Sequence, residues 1–211
     1  MTKIIEVSQE FKMLLCLTFI DIKKAFDSIE TEAVIEAQAK QGFHTQSIKI
    51  LRELHYGFPT RISQFYKELI IDIKRGARQD DTISVKLFSA TLENVKRRLE
   101  WEGMGVKIDG QQLHHLCFAD NIVLIMPNIS QVAQILANFD RECGKAGLQL
   151  NLNMTIVMKN ELIPDALFAL NRTNISECSS YVYLGRELNM RNDLAPELRR
   201  RKRAHGTHSK A

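Results

Sequence analysis

Leu14-Leu15-Cys16-Leu17-Thr18-Phe19-Ile20-Asp21-Ile22 is rich in large apolar residues and carries a lone carboxylate near its end. Such a run predicts a buried strand. A second apolar run, Ile122 to Met126, is separated from Leu113–Phe118 only by Ala119, Asp120 and Asn121. That spacing places Asp120 at the tip of a hairpin. A carboxylate at the end of an apolar strand is costly unless something uses it. The plain alternative is a turn aspartate bonding its own backbone, a common task for this residue. For Asp120 alone the plain alternative is the stronger, but Asp21 in an equally apolar frame brings the two readings close to even. Two carboxylates at adjacent strand ends could bind divalent metal through hard oxygen ligands. In phosphoryl transfer, two metals roughly 4 Å apart activate the attacking oxygen and steady the leaving one.

Working outward, helices are expected from about Thr31 to Lys40, stopping at Gly42, and from about Thr45 to His55, stopping at Gly57. Arg61–Tyr66 and Leu69–Lys74 read as a strand pair. Thr82 is a suitable N-cap for a long helix, in which Leu87, Phe88, Leu92, Val95 and Leu99 recur on one face. Val106–Ile108, the turn Asp109-Gly110 and Leu113–Phe118 predict a hairpin. A further helix covers about Ser130 to Cys143, ended by Gly144 and Gly147, and short strands follow near Thr155–Met158, Phe168–Leu170 and Tyr181–Leu184. This order suits an α+β fold, an antiparallel sheet with helices packed on one face.

The chain has 211 residues, 45% of them apolar and 26% charged, which suits a globular protein and excludes a disordered or fibrous one. The net charge of +4 comes largely from Arg199, Arg200, Arg201, Lys202 and Arg203. A solvated tail is the favoured reading of that run; phosphate contact and nuclear import are the functional ones. Cys16, Cys117, Cys143 and Cys178 form no CxxC pair, so a reduced, intracellular protein without a zinc site is expected. Met1–Glu10 lacks the apolar core of a signal peptide, and no apolar run reaches membrane-spanning length. The Asn-x-Ser/Thr matches at Asn128, Asn153, Asn171 and Asn174 are therefore read as chance.

Five short segments carry a family resemblance. Phe19-Ile20-Asp21-Ile22-Lys23-Lys24-Ala25-Phe26-Asp27 resembles the first palm motif of non-LTR (LINE-type) retrotransposon reverse transcriptases. Arg75-Gly76-Ala77-Arg78-Gln79-Asp80-Asp81-Thr82-Ile83-Ser84 is similar to their second, and Phe118-Ala119-Asp120-Asn121 to their third, usually Phe-Ala-Asp-Asp. Gly147-Leu148-Gln149-Leu150-Asn151, with Thr155 beyond it, resembles the fourth, and Tyr183-Leu184-Gly185 the fifth. Each segment alone is a weak to moderate match; five in order, over roughly Leu14–Leu188, are specific.

The resemblance implies a polymerase palm-like fold and an RNA-directed DNA polymerase that works by two-metal nucleotidyl transfer. Asp21 and Asp120 would hold two Mg²⁺ ions, with Asn121 beside them. Phe26 would be a steric gate against a ribose 2′-OH, although ordinary core packing is the stronger reading of that residue in isolation. Arg78 and Gln79 would lie by the incoming nucleotide and template; a surface ion pair is the alternative for Arg78. Asp27 could serve the site or cap the next helix. Tyr183, Leu184 and Gly185 would grip the primer or form a plain hairpin. Implied partners are an RNA template, a DNA primer and dNTP, with no membrane and no obligate protein partner.

Four positions depart from the family pattern. Asn121 replaces a second aspartate, Asp80 a glycine, Val85 a proline and Met154 a lysine that would protonate departing pyrophosphate. About twenty residues precede Asp21 and about twenty-six follow Gly185, too few on either side for the rest of such an enzyme. The expected organisation is therefore an N-terminal remnant of the fingers at 1–13, a palm domain at 14–190 and a basic, disordered tail at 191–211. On that expectation the fingers are incomplete and the thumb absent, as in a partial, degenerate copy. Two readings follow: a polymerase domain with impaired activity, or a catalytically dead remnant that binds nucleic acid weakly.

Overall fold

The architecture turns on one register: Cys16 to Ile20 lie antiparallel to Ile122 to Met126, with Cys16 opposite Met126 and Ile20 opposite Ile122. In the computed structural model, which describes residues 1–56, 60–64, 67–71, 82–164 and 168–206, the elements follow in chain order. Helix α1 (Thr2–Glu10) leads into β1 (Cys16–Ile20), α2 (Ala25–Ser28), α3 (Thr31–Lys40) and α4 (Thr45–Tyr56). The pair β2 (Thr60–Gln64) and β3 (Lys67–Ile71) precedes α5 (Thr82–Arg97). Next come β4 (Val106–Ile108), β5 (Gln111–Leu113), β6 (His115–Phe118), β7 (Asn121–Met126), α6 (Ile129–Lys145) and β8 (Ile156–Lys159). The chain continues through β9 (Ala169–Leu170), β10 (Thr173–Asn174), β11 (Ser176–Glu177), β12 (Ser180–Tyr183), β13 (Arg186–Asn189) and α7 (Ala195–Gly206).

The main sheet has the order β11-β8-β1-β7-β6, and only the β11–β8 pair is parallel. All five residues of β1 are buried, because both faces of the sheet are covered. Alternation sends Cys16 and Ile20, with Ile122, Leu124 and Met126, into a core closed by α3, α5 and α6. Helix α5 supplies the expected stripe of Leu87, Phe88, Leu92, Val95 and Leu99, and α6 supplies Val132, Ile135, Leu136 and Phe139. The Asn128 carboxamide oxygen caps α6 by accepting the Gln131 N–H at 2.8 Å. The fold is the expected α+β palm-like sheet with its long helices on one face.

The opposite face differs in detail from the expectation. Leu17, Phe19, Val123, Ile125 and Met158 pack there against Ile4 and Ile5 of α1 and Leu188 of β13. A nine-residue helix with few apolar positions is marginal alone and forms by docking that stripe, so periodicity did not reveal α1. The strand expected over Leu113–Phe118 is divided at His114, whose carbonyl accepts the Ile125 N–H at 2.8 Å. Of the expected strand pair, the ends at residues 65–66 and 72–74 lie outside the described residues.

The basic segment expected to be disordered is instead helical as far as Gly206, as α7. The reason is Glu197, which accepts the Glu187 N–H at 2.9 Å and bonds to Arg200 and Arg201. Arg200 also donates to the Gly185 carbonyl, tying α7 to the turn between β12 and β13. Reading only the Arg/Lys run missed the acid that pairs with two of its members, Arg200 and Arg201. No described helix is long and apolar enough to cross a membrane.

Two outcomes follow from this packing. Phe139→Ala removes a fully buried ring and is expected to cost about 3–5 kcal/mol, read as a lower denaturant midpoint at unchanged slope. The Arg200 hydrogen bond, the Glu187 amide and Arg201 hold the Glu197 carboxyl at about 2, below its ordinary 4.5. Its contribution is therefore present above pH 4.5 and is lost as the pH falls towards 2. Protection factors of the β12–β13 hairpin amides, corrected for the intrinsic pH dependence of exchange, should fall as the pH drops across that window, and Glu197→Gln should abolish the fall.

Candidate active site

The apolar run of β1 stops at Ile20, and the next residue is the first exposed side chain, Asp21. Carrying the β1–β7 register one step further sets Asp21 opposite Asn121, on the face shared with Phe19 and Val123. Asp120 lies immediately before Asn121, in the two-residue turn Ala119-Asp120 that joins Phe118 to Asn121. The fold thus brings Asp21, Asp120 and Asn121 to one end of two neighbouring strands. Asn121 Nδ2 donates to Asp120 Oδ1 at 3.2 Å. Ala119 holds φ +53°, a left-handed conformation that costs a residue with a Cβ about 1–2 kcal/mol. A conformation glycine would take freely is here imposed on alanine by the pairing on either side.

Asp21 is fixed from the other side by the segment after α6. Its main-chain carbonyl accepts the Asn151 N–H at 2.8 Å, and its carboxylate accepts Asn151 Nδ2 at 2.8 Å. The Asp21 N–H donates to Thr155 Oγ1 at 3.4 Å. Ile22 bridges Leu150, and the Lys23 N–H donates to the Gln149 carbonyl at 2.8 Å. Gly147 makes this approach possible: at φ +76°, a Cβ there would lie 2.5 Å from Glu30 Cγ and 3.0 Å from the Ser28 carbonyl oxygen. Between the two segments runs a groove of about 1020 Å³ lined by Asp21, Lys23, Lys24, Gln149 and Asn151, among others.

The other expected site residues are partly gathered here. Phe26, half-buried in α2, packs its ring 4.6 Å from that of Phe88, so core packing fixes it five residues after Asp21. Tyr183 ends β12, and Leu184 and Gly185 form its turn with φ of +48° and +77°. The hairpin docks beneath β1 through Phe19, stacked on Tyr181 at 4.1 Å and tilted against Tyr183 at 5.7 Å. Burial, and then the negative charge of Asp21, push the Tyr181 phenol up. Burial also raises the Tyr183 phenol. Met154 is exposed in the turn after Asn151, and Val85 is exposed on α5. Arg78, Gln79 and Asp80 lie outside the described residues.

Sequence reasoning missed the Asn151–Asp21 bond and the Phe19–Tyr181 stack. Asn151 stood inside a quoted motif, but nothing in its spacing assigns it a carboxylate partner 130 residues away. Among the described residues no group of three or more His, Cys, Asp or Glu is arranged to enclose a metal. Two carboxylates and an amide nevertheless offer the oxygen donors that Mg²⁺ takes when substrate phosphates complete its shell.

Relief of the turn strain gives a direct check. Ala119→Gly is expected to raise stability by about 0.5–1 kcal/mol, the left-handed cost less the added unfolded-state entropy. Urea denaturation reads this; a loss of stability would mean that the turn is not strained.

Comparison with known proteins places these features in a family. Residues 3–188 match the model for the reverse transcriptase (RNA-dependent DNA polymerase) family. A transposon-derived protein of Caenorhabditis elegans is 34% identical over 103 residues, covering 47% of this chain and 37% of that protein. The Pol polyprotein of the type-1 retrotransposable element R2 from Nasonia vitripennis is 27% identical over 137 residues, 64% of this chain and 13% of its own length. The chain thus spans well under half of the curated relatives it matches. Apo telomerase from Candida tropicalis, truncated of its C-terminal domain, superposes with a TM-score of 0.61 at 14% identity, over 90% of this chain and 38% of that one.

Proposed function

The chain belongs to the reverse transcriptase family, and from that premise we propose that it is the palm of an RNA-directed DNA polymerase, weakened at its metal site. The observation that carries the reading is the register that sets Asp21 against Asn121, with Asp120 beside it. Asp21 and Asp120 are the residues that would hold two Mg²⁺ ions. When bound, such ions activate the primer oxygen and stabilise the leaving pyrophosphate. Asn151 and Thr155 orient Asp21, and Ala119 aims Asp120. Phe26, braced on Phe88, would reject an incoming ribonucleotide, which carries a 2′-hydroxyl, in favour of a dNTP. Arg78 and Gln79 would contact nucleotide and template, while Tyr183, Leu184 and Gly185 would grip the DNA primer on an RNA template. The exposed basic side chains of α7, Arg199 and Lys202 among them, suit phosphate contact.

Asn121 limits the chemistry. A full charge about 5 Å from an ion is worth about 3 kcal/mol at an effective dielectric of 20. Asn121 is exposed, so solvent screening reduces that figure, and a deficit of about 10- to 100-fold in rate is expected. The charge of Asp80 would act separately, along the path of the triphosphate.

Single-nucleotide primer extension on an RNA template with Mg²⁺ tests the reading. The native chain should extend slowly, Asn121→Asp about 10- to 100-fold faster, and Asp21→Asn at least ~10³-fold slower. Extension that Asp21→Asn leaves untouched would sink the assignment. Salt-sensitive binding of primer-template with no extension by any variant would support a dead, nucleic-acid-binding remnant, a reading that Asn121 and Met154 favour.

A further inference from the structure

Two-metal transfer leaves a problem on the product side of this site. As the primer oxygen bonds to the α-phosphorus and releases its proton to solvent, the bond to the bridging oxygen breaks. Its electron pair goes with the departing pyrophosphate, whose negative charge grows and needs a fixed cation nearby. Met154, exposed in the turn after Asn151, cannot serve.

Lys23 is placed to do so. The backbone at Ile22 is strand-like, held by the antiparallel Ile22–Leu150 bridge, the bond from the Asn151 N–H to Asp21 and the bond from the Lys23 N–H to Gln149, and the chain begins to turn at Lys23. Ile22 is buried while Asp21 and Lys23 are exposed, so the two exposed side chains leave the same face of the strand. Two residues along a strand span about 7 Å, within reach of a lysine side chain. Both line the groove between β1 and the segment after α6. Lys23 forms no ion pair among the described residues. The nearby cation Lys145 is engaged with Glu142 at 2.7 Å, as is Arg141 at 3.5 Å. Glu30 and Asp140 also line the groove, and Asp140 accepts Asn171 Nδ2 at 2.8 Å. Lys24 shares the groove but takes a left-handed φ of +43°, which turns the chain out of the strand and into α2.

We infer that Lys23 binds the pyrophosphate end of the nucleotide and of the released product, through the groove that starts at Asp21. The role is charge neutralisation, and it rests on the polymerase reading. Calorimetric titration of the chain with inorganic pyrophosphate and Mg²⁺ tests it apart from catalysis. Lys23→Gln should weaken binding about tenfold, the scale of one lost charge-assisted contact, and Lys23→Arg should stay within about threefold. Raising salt should narrow the difference between native and Lys23→Gln proteins. Equal affinity in Lys23→Gln, an equal loss in Lys24→Gln, or no binding by the native chain would each overturn the inference. Primer extension on the same preparations separates the two conclusions. Extension that needs Asp21, together with unchanged pyrophosphate binding in Lys23→Gln, removes the role of Lys23 and leaves the polymerase reading standing.

Discussion

Everything in this molecule depends on the antiparallel pairing of β1 with β7. These are the two central apolar strands, and nearly every side chain they carry is buried. Strands in that position cannot slip by one residue, because a slip would exchange the sets that face the two cores. The register is thereby fixed along its length, and so is the place where it ends. Past Ile20 and before Ile122 the paired positions are Asp21 and Asn121, and their polar groups emerge side by side at the same end of both strands. The site is an outcome of where hydrophobic burial runs out.

That logic explains which parts were legible in the sequence. Leu14–Ile22 and Ile122–Met126 announced buried strands by composition, and the lone carboxylates stood out because their neighbours were apolar. The stripe from Leu87 to Leu99 announced α5 by its period. The relative order of the five motifs carried the family. The remainder depends on contacts distant in sequence. The Asn151 amide, the Phe19–Tyr181 stack and the docking of α1 each join segments that local pattern treats separately. The helix at the basic end was misread for a related reason. Its stability comes from Glu197 reaching back to β13 as well as along its own helix, and composition alone showed only the cations.

The sheet also links its two sides. Phe19 precedes Asp21 by two residues and stacks on Tyr181, while α7 is tied to the turn of the same hairpin through Arg200 and Glu197. Helix α7 and the underside of β1 thus share the β12–β13 hairpin as a common neighbour. The carboxylate at the end of that strand is supported from below by aromatic packing and from the side by an amide.

Strand β6 closes its side of the sheet, so among the described residues the outward backbone groups of its four residues have no strand beside them. Phe118, at the end of that strand, is also well exposed. Such an edge invites pairing with another polypeptide. Four residues offer an intruding chain only about two main-chain bonds, since alternate residues point their donors and acceptors inward. Beyond Phe118 the left-handed Ala119 bends the backbone away, so a foreign strand cannot lengthen its hold. The turn that aims Asp120 is thus also a guard against intermolecular sheet growth.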